Sequence, residues 1–274
     1  MMPLEPLKPI NEKLKDMSYR LRRKPLRQAY MVRFIIRCII LALTILCYFL
    51  ARPQLRITTA TRWTDFFTSG ISFAHFVWCI WVLDMILQLI PVKRFIPIGS
   101  QKNFKMHYLP AIKKVNAERI AEHLKGLTAG AYKVFALYAA MVAAIGILHH
   151  FRILSDLMLF LASAIFYVCD LICVLFWCPF RVFIMKNKCC TTCRIFNWDH
   201  LMMFSPMVFL GSFFAWSLIV MAVIVWGIWE IGALLFPERF TVYGNLALKC
   251  SKCTDRLCRK PRGDKDYMLK ETPL

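Results

Sequence analysis

Long apolar runs alternate with polar, mostly basic segments along this chain, and they fall at roughly 34–51, 69–90, 131–148, 157–180 and 203–236. The first four are 18 to 24 residues long. Such lengths cross a hydrocarbon core of about 30 Å at 1.5 Å per residue. A backbone in lipid must satisfy its own hydrogen bonds, so each run predicts a helix. The expected fold is an all-α integral membrane protein, a helical bundle of five apolar segments.

The fifth run does not fit a simple count. Its 34 residues would make a helix about 51 Å long, too long for one upright pass and barely enough for two. It is expected to be re-entrant, bent or a hairpin. Phe213 to Val225 holds no Gly, Pro or Asn to turn the chain, whereas Pro206, Gly211 and Ser212 can mark a bend.

The pattern divides the chain into a basic leader (1–33), a first transmembrane hairpin (34–91) and a basic loop (92–130). A second transmembrane hairpin (131–184), a cysteine-containing loop (185–202), the fifth segment (203–236) and a basic cysteine-containing tail (237–274) follow. In the loop, Pro110 to Leu124 carries apolar residues at helical spacing flanked by Lys and Arg. This predicts an amphipathic helix on the inner leaflet, ended by Gly126 and Gly130.

Composition narrows the class. Apolar residues make up 59% of the chain and charged ones 19%, yet the formal charge is +20. A soluble domain is less apolar, and a nucleic-acid-binding surface needs a more polar exterior to display such charge. The 22 Phe, 8 Trp and 9 Tyr exclude intrinsic disorder. Nine Lys or Arg fall in 1–33 and eight in 92–130, against three in 52–68 and one in 150–156. The positive-inside rule then puts the N-terminus and loop 92–130 in the cytoplasm, at the cell membrane, where the basic residues attract anionic lipid headgroups. No small-residue cleavage site follows Leu50, so the first run is expected to be a retained helix. Trp63, Trp78, Trp81 and Tyr48 are candidate interface residues.

Twelve cysteines split into two populations. Cys38, Cys47, Cys79, Cys169 and Cys173 sit within apolar runs, where a thiol packs as a small hydrophobe. The others gather at membrane boundaries. Cys190 and Cys193 form one Cys-x-x-Cys turn, Cys250 and Cys253 a second, and basic residues surround both. Two such turns can supply four thiolates to zinc or to an iron–sulfur cluster. Cys178, Cys189, Cys258 and His200 are reserve ligands. The Cys178-Pro179 pair after a span resembles the Cys-Pro ends of ligand runs in membrane-bound polyferredoxin-type electron-transfer proteins. Its spacing from Cys173 departs from theirs by one residue. A joint site requires both turns on one side of the membrane, which favours a cytoplasmic tail for a chain with nine basic residues after position 236.

Charge inside a span marks function by default. Asp84 and Asp170 are candidates for a proton or cation path, and Glu230 lies near the end of the fifth run. The competing role for the two aspartates is a hydrogen bond to a neighbouring helix. Arg37 and Lys133 are expected to snorkel. His75, with His149 and His150, can face one another across helices as haem ligands, whereas His107 and His123 suggest nothing specific. The chain has no phosphate-cradling Gly-rich loop, nucleophile elbow or His-Glu-x-x-His motif. No polar segment exceeds about 40 residues, too short for a soluble catalytic domain.

The function expected from these features is a multi-pass protein with a cysteine-ligated metal site at the cytoplasmic face, which passes electrons or anchors a redox or membrane protein partner. The alternatives are a small transporter or channel subunit with a structural zinc and Asp84 and Asp170 in its path, or a non-catalytic scaffold.

Overall fold

The structure is a computed structural model that describes residues 26–89, 102–104, 108–111, 117–187 and 193–249. Helix α1 is Leu26–Leu50, α2 is Trp63–Thr68, α3 is Phe73–Leu89, α4 is Ala117–His150, α5 is Asp156–Leu175, α6 is Asp199–Phe204 and α7 is Phe213–Leu235. Among the described residues α1, α4, α5 and α7 are long and apolar enough to cross a membrane, and α3 is a shorter apolar helix. The protein is a multi-pass helical bundle embedded in lipid.

α1 shows how a membrane helix inverts the soluble pattern. Tyr30, Arg37, Ile40 and Thr44 are buried along one stripe, at the seven- and three-to-four-residue spacing of one helix face. Ile36, Ile39, Leu43 and Phe49 are exposed on the other side, where lipid covers them. The buried stripe lies along α5, and Phe34 meets Phe176 edge-on at 5.6 Å. α1 and α5 are therefore antiparallel, and the end where α1 starts is called the leader end below.

At the far end a 3-10 segment, Arg52–Thr59, and α2 cap the bundle. α3 then returns to the leader end. At its middle Trp81 is fully buried, with ring centroids of Phe160, Tyr167, Phe204 and Phe214 at 5.0–6.2 Å. Trp81 is thus a core residue and not the interface residue expected of it, whereas Trp63 is 64% exposed.

α4 is one continuous helix of 34 residues. Gly126 and Gly130 lie inside it rather than at a boundary. Each interior glycine costs only about 1 kcal/mol, which the Ala-, Leu- and Glu-rich surroundings offset. Lys133 is exposed.

The fifth apolar segment is a hairpin. Its first limb is α6 followed by the 3-10 segment Ser205–Phe209, and it runs beside α4 in the same direction. The Tyr138 hydroxyl donates to the Met202 carbonyl, and Ser205 Oγ lies 3.3 Å from Tyr138. Two turns further along α4, a Cβ on Gly146 would overlap the far end of the Phe209 ring, so any side chain there requires that ring to shift. At Leu210–Ser212 the chain reverses. Ser212 Oγ caps α7 by accepting from Ala215 N at 3.2 Å, and Phe213 N donates to Ala60 O at 3.2 Å. α7 then runs back beside α3, with Trp78 Nε1 donating to Ser217 Oγ at 2.8 Å. Both open ends of the hairpin lie at the leader end. There Asn245 Nδ2 donates to the Lys102 and Arg239 carbonyls at 3.0 and 2.9 Å, and Phe240 packs on Trp229 at 4.7 Å.

Candidate functional site

Arg37 organises a buried charge cluster in the part of the bundle nearest the leader end. Its Nη1 donates to Tyr167 O at 2.7 Å and to Asp170 Oδ2 at 2.8 Å, and its Nη2 donates to Asp84 Oδ2 at 2.7 Å. The guanidinium sits 3.9 Å from the Tyr167 ring centroid, and the Tyr167 hydroxyl donates to Asp84 at 3.3 Å. On the other side of Asp84, His200 Nε2 lies 3.8 Å away, and His200 Nδ1 is 3.2 Å from Asp199 Oδ1. Gln88 closes the arrangement by donating to Asn197 Oδ1 at 3.0 Å and to Asp199 at 3.3 Å.

α1, α3, α5 and α6 each contribute to this cluster. Desolvating charge is costly unless the geometry is good and further hydrogen bonds satisfy each group; here one guanidinium makes three donations. Three carboxylates, Asp84, Asp170 and Asp199, face the Arg37 guanidinium and the His200 imidazole, and Arg33, one turn before Arg37, lies within electrostatic reach of Asp84. Arg37 does not snorkel. It lies on the inward stripe of α1 with its side chain 7% exposed, facing two acids rather than the headgroups.

Beside the cluster is a cavity of about 400 Å³ between α4 and α5, whose wall includes Asp170 and Asp199. Tyr138, Phe166, Trp177 and Phe196 supply aromatic surface, and Cys169, Cys173, Cys178 and Cys193 also line it. It exists because α4 packs chiefly on the Ser205–Phe209, Phe180–Ile184 and Pro237–Phe240 segments and not along α5. Tyr138 and Phe166 make a ring contact between the two helices at 6.1 Å.

A second charged group has a different form. Arg194 grips Glu230 with two parallel hydrogen bonds of 2.8 and 2.5 Å, and Trp198 Nε1 donates to Glu230 Oε1 at 2.7 Å. Trp229 Nε1 donates to the Arg194 carbonyl at 3.0 Å. This clasp fastens the segment before α6 to the end of α7.

The metal reading is corrected. Among the described residues no group of three or more His, Cys, Asp or Glu side chains can hold a metal ion. Of the first-choice ligands, Cys193 is buried in an apolar cluster with Ala131, Val134, Trp198 and Trp229. Its neighbour Arg194 is committed to Glu230. Cys190, Cys250 and Cys253, and the reserves Cys189 and Cys258, lie outside the described residues. Among the other reserves, Cys178 is buried at the cavity wall and His200 is engaged by carboxylates. The iron–sulfur cluster, the zinc site and the electron-transfer role built on them are therefore withdrawn, together with the structural zinc of the transporter alternative. None of the seven described cysteines is in a disulfide.

The haem reading fails on local geometry. His75 has Nε2 2.7 Å from Phe66 O and Nδ1 2.8 Å from Ser72 Oγ, so both ring nitrogens serve the turn beside them. His149 Nε2 pairs with Asp156 at 2.8 Å.

Asp84 and Asp170 are brought together as one cluster, 2.7 and 2.8 Å from the same guanidinium. Sequence reasoning missed Arg37, Tyr167, Gln88, Asn197 and Asp199. The available signal was an arginine inside one apolar run and an aspartate inside each of two others. No protein-family model, curated protein or solved structure matches this chain.

Proposed function

We propose that this chain is a carrier-type membrane protein in which Asp84 and Asp170 belong to a proton- or cation-linked path, with the leader end in the cytoplasm. The supporting observation is that one guanidinium is divided between carboxylates from two different helices. Neutralising either acid releases one arm of Arg37 and weakens one interhelical tie, so protonation and helix packing are linked. The orientation rests on the Lys and Arg excess in 1–33 and 92–130, and the same residues favour contact with anionic headgroups.

The test is accumulation of ethidium, a lipophilic cation, in proteoliposomes carrying a pH gradient. The unsubstituted protein is expected to drive accumulation, and Asp84→Asn and Asp170→Asn to reduce it to the level of protein-free liposomes. Unchanged flux in either folded variant removes that aspartate from the path. No flux from the unsubstituted protein overturns the carrier reading.

A further inference from the structure

We infer that the cavity between α4 and α5 binds an amphipathic organic cation, an apolar molecule carrying a protonated or quaternary nitrogen. The inference rests on the carrier reading for its biological role and on the cavity's own chemistry for its ligand.

The cavity volume of about 400 Å³ lies within the range of small-molecule sites, about 300–1,000 Å³. Its lining pairs two features that recognise organic cations. The first is aromatic: Tyr138, Phe166, Trp177 and Phe196 offer ring faces whose quadrupoles attract positive charge. The second is carboxylate. Asp170 and Asp199 come from different elements and both reach the wall, and Asp170 keeps 18% of its side chain exposed despite its bond to Arg37. Arg37 and His200 hold these two acids in place. One cation, Arg181, also lines the cavity; it belongs to the turn beyond α5 and is outnumbered by the two acids.

Access fits the same ligand class. Cys169 and Trp177 line the cavity and are also exposed on the bundle surface, so the cavity communicates with the layer that lipid occupies. A molecule with an apolar body concentrates in that layer before it binds. A small inorganic cation does not, and it would gain little from the aromatic walls.

The experiment uses the full chain in phosphatidylcholine nanodiscs and two ions of matching shape and opposite sign, tetraphenylphosphonium and tetraphenylborate, in equilibrium dialysis. Tetraphenylphosphonium is expected to bind saturably and tetraphenylborate at least about tenfold more weakly. Asp170→Asn should weaken the cation by about tenfold or more, the scale of a lost charged contact. Cys169→Trp puts an indole into the cavity beside Asp170, so it should abolish binding while thermal unfolding stays unchanged. Bound tetraphenylphosphonium should also slow maleimide labelling of Cys169. Equal affinity for the two ions, absence of saturable binding, or binding that survives Cys169→Trp overturns the inference. Saturable binding without ethidium accumulation keeps the site and rejects the carrier. Accumulation that survives Cys169→Trp keeps the carrier and rejects the site.

Discussion

Arg37 and Arg194 are both buried toward the leader end of the bundle, and they hold their carboxylates differently. Arg194 meets Glu230 one to one through a bidentate pair, with Trp198 supporting the carboxylate and Trp229 the Arg194 carbonyl. The Glu230 carboxylate is held within a single clasp, and neither Arg194 nor Glu230 lines the cavity. Arg37 instead spreads its donors over Asp84, Asp170 and a backbone carbonyl, and one of its acids forms part of the cavity wall. A closed pair fastens two segments. A divided arginine leaves its carboxylates dependent on what else arrives, which is why the reading of function rests on Arg37 and not on Arg194.

The largest effect should come from the divided site. Arg37→Leu strands two carboxylates in the bundle and is expected to cost about 3–5 kcal/mol, the range for removing one partner of a buried ion pair. Thermal unfolding in detergent, followed by loss of the monodisperse peak, measures it. Adding Asp84→Asn to Arg37→Leu should recover part of the loss, because one uncompensated charge disappears. Further destabilisation on adding it would show that Asp84 is held by other groups.

Glu230→Gln should be milder, about 1.5–3 kcal/mol for weakening hydrogen bonds to a charged group, and it should leave tetraphenylphosphonium affinity unchanged. Reduced affinity in this variant would erase the distinction between the two arginines. Gly146→Val is expected to cost about 1–3 kcal/mol by overpacking, since its side chain meets the Phe209 ring. Because that limb carries Asp199 and His200, the variant should disturb ligand binding more than Glu230→Gln does. A neutral effect on stability and binding would place the limb elsewhere along α4.

The smallest effect concerns Cys178, just beyond α5. A hydrogen bond with Cys173 lowers its pKa, burial opposes that shift, and the Arg181 backbone N–H, 3.4 Å from Sγ, adds to the lowering; the net result is about 6. The folded value lies below the ordinary thiol value, so the stabilisation is present above about pH 8.5 and is lost as pH falls through about 6. Site-resolved iodoacetamide labelling of Cys178 should therefore stay level from alkaline to neutral pH and fall near pH 6. A rate still climbing with pH through the ordinary thiol range contradicts this.

Much of the architecture was legible because lipid imposes a length and an apolarity that few sequences meet by chance. α1, α4, α5 and α7 follow from those two properties. The hairpin was legible only as a mismatch in length together with Pro206, Gly211 and Ser212. Its first limb begins with Asp199 and His200, which read as loop residues because their burial depends on Asp84 and Gln88 from α3. The candidate site was half legible. Asp84 and Asp170 stood out as acids in apolar runs, but Arg37 looked like a snorkelling residue because sequence does not reveal which face of α1 turns inward. The cysteine reading failed for a related reason. The Cys-x-x-Cys spacing allows convergence but does not show that Cys193 is enclosed by Trp198 and Trp229, beside an arginine fastened to Glu230.

The most direct test of the difference between the two arginines is one set of tetraphenylphosphonium binding isotherms for the unsubstituted protein, Asp170→Asn and Glu230→Gln in the same nanodiscs. The predicted result is a loss of about tenfold or more for Asp170→Asn and no change for Glu230→Gln. Equal effects in the two variants, or none in either, would contradict a functional role for the carboxylate that Arg37 shares with the cavity.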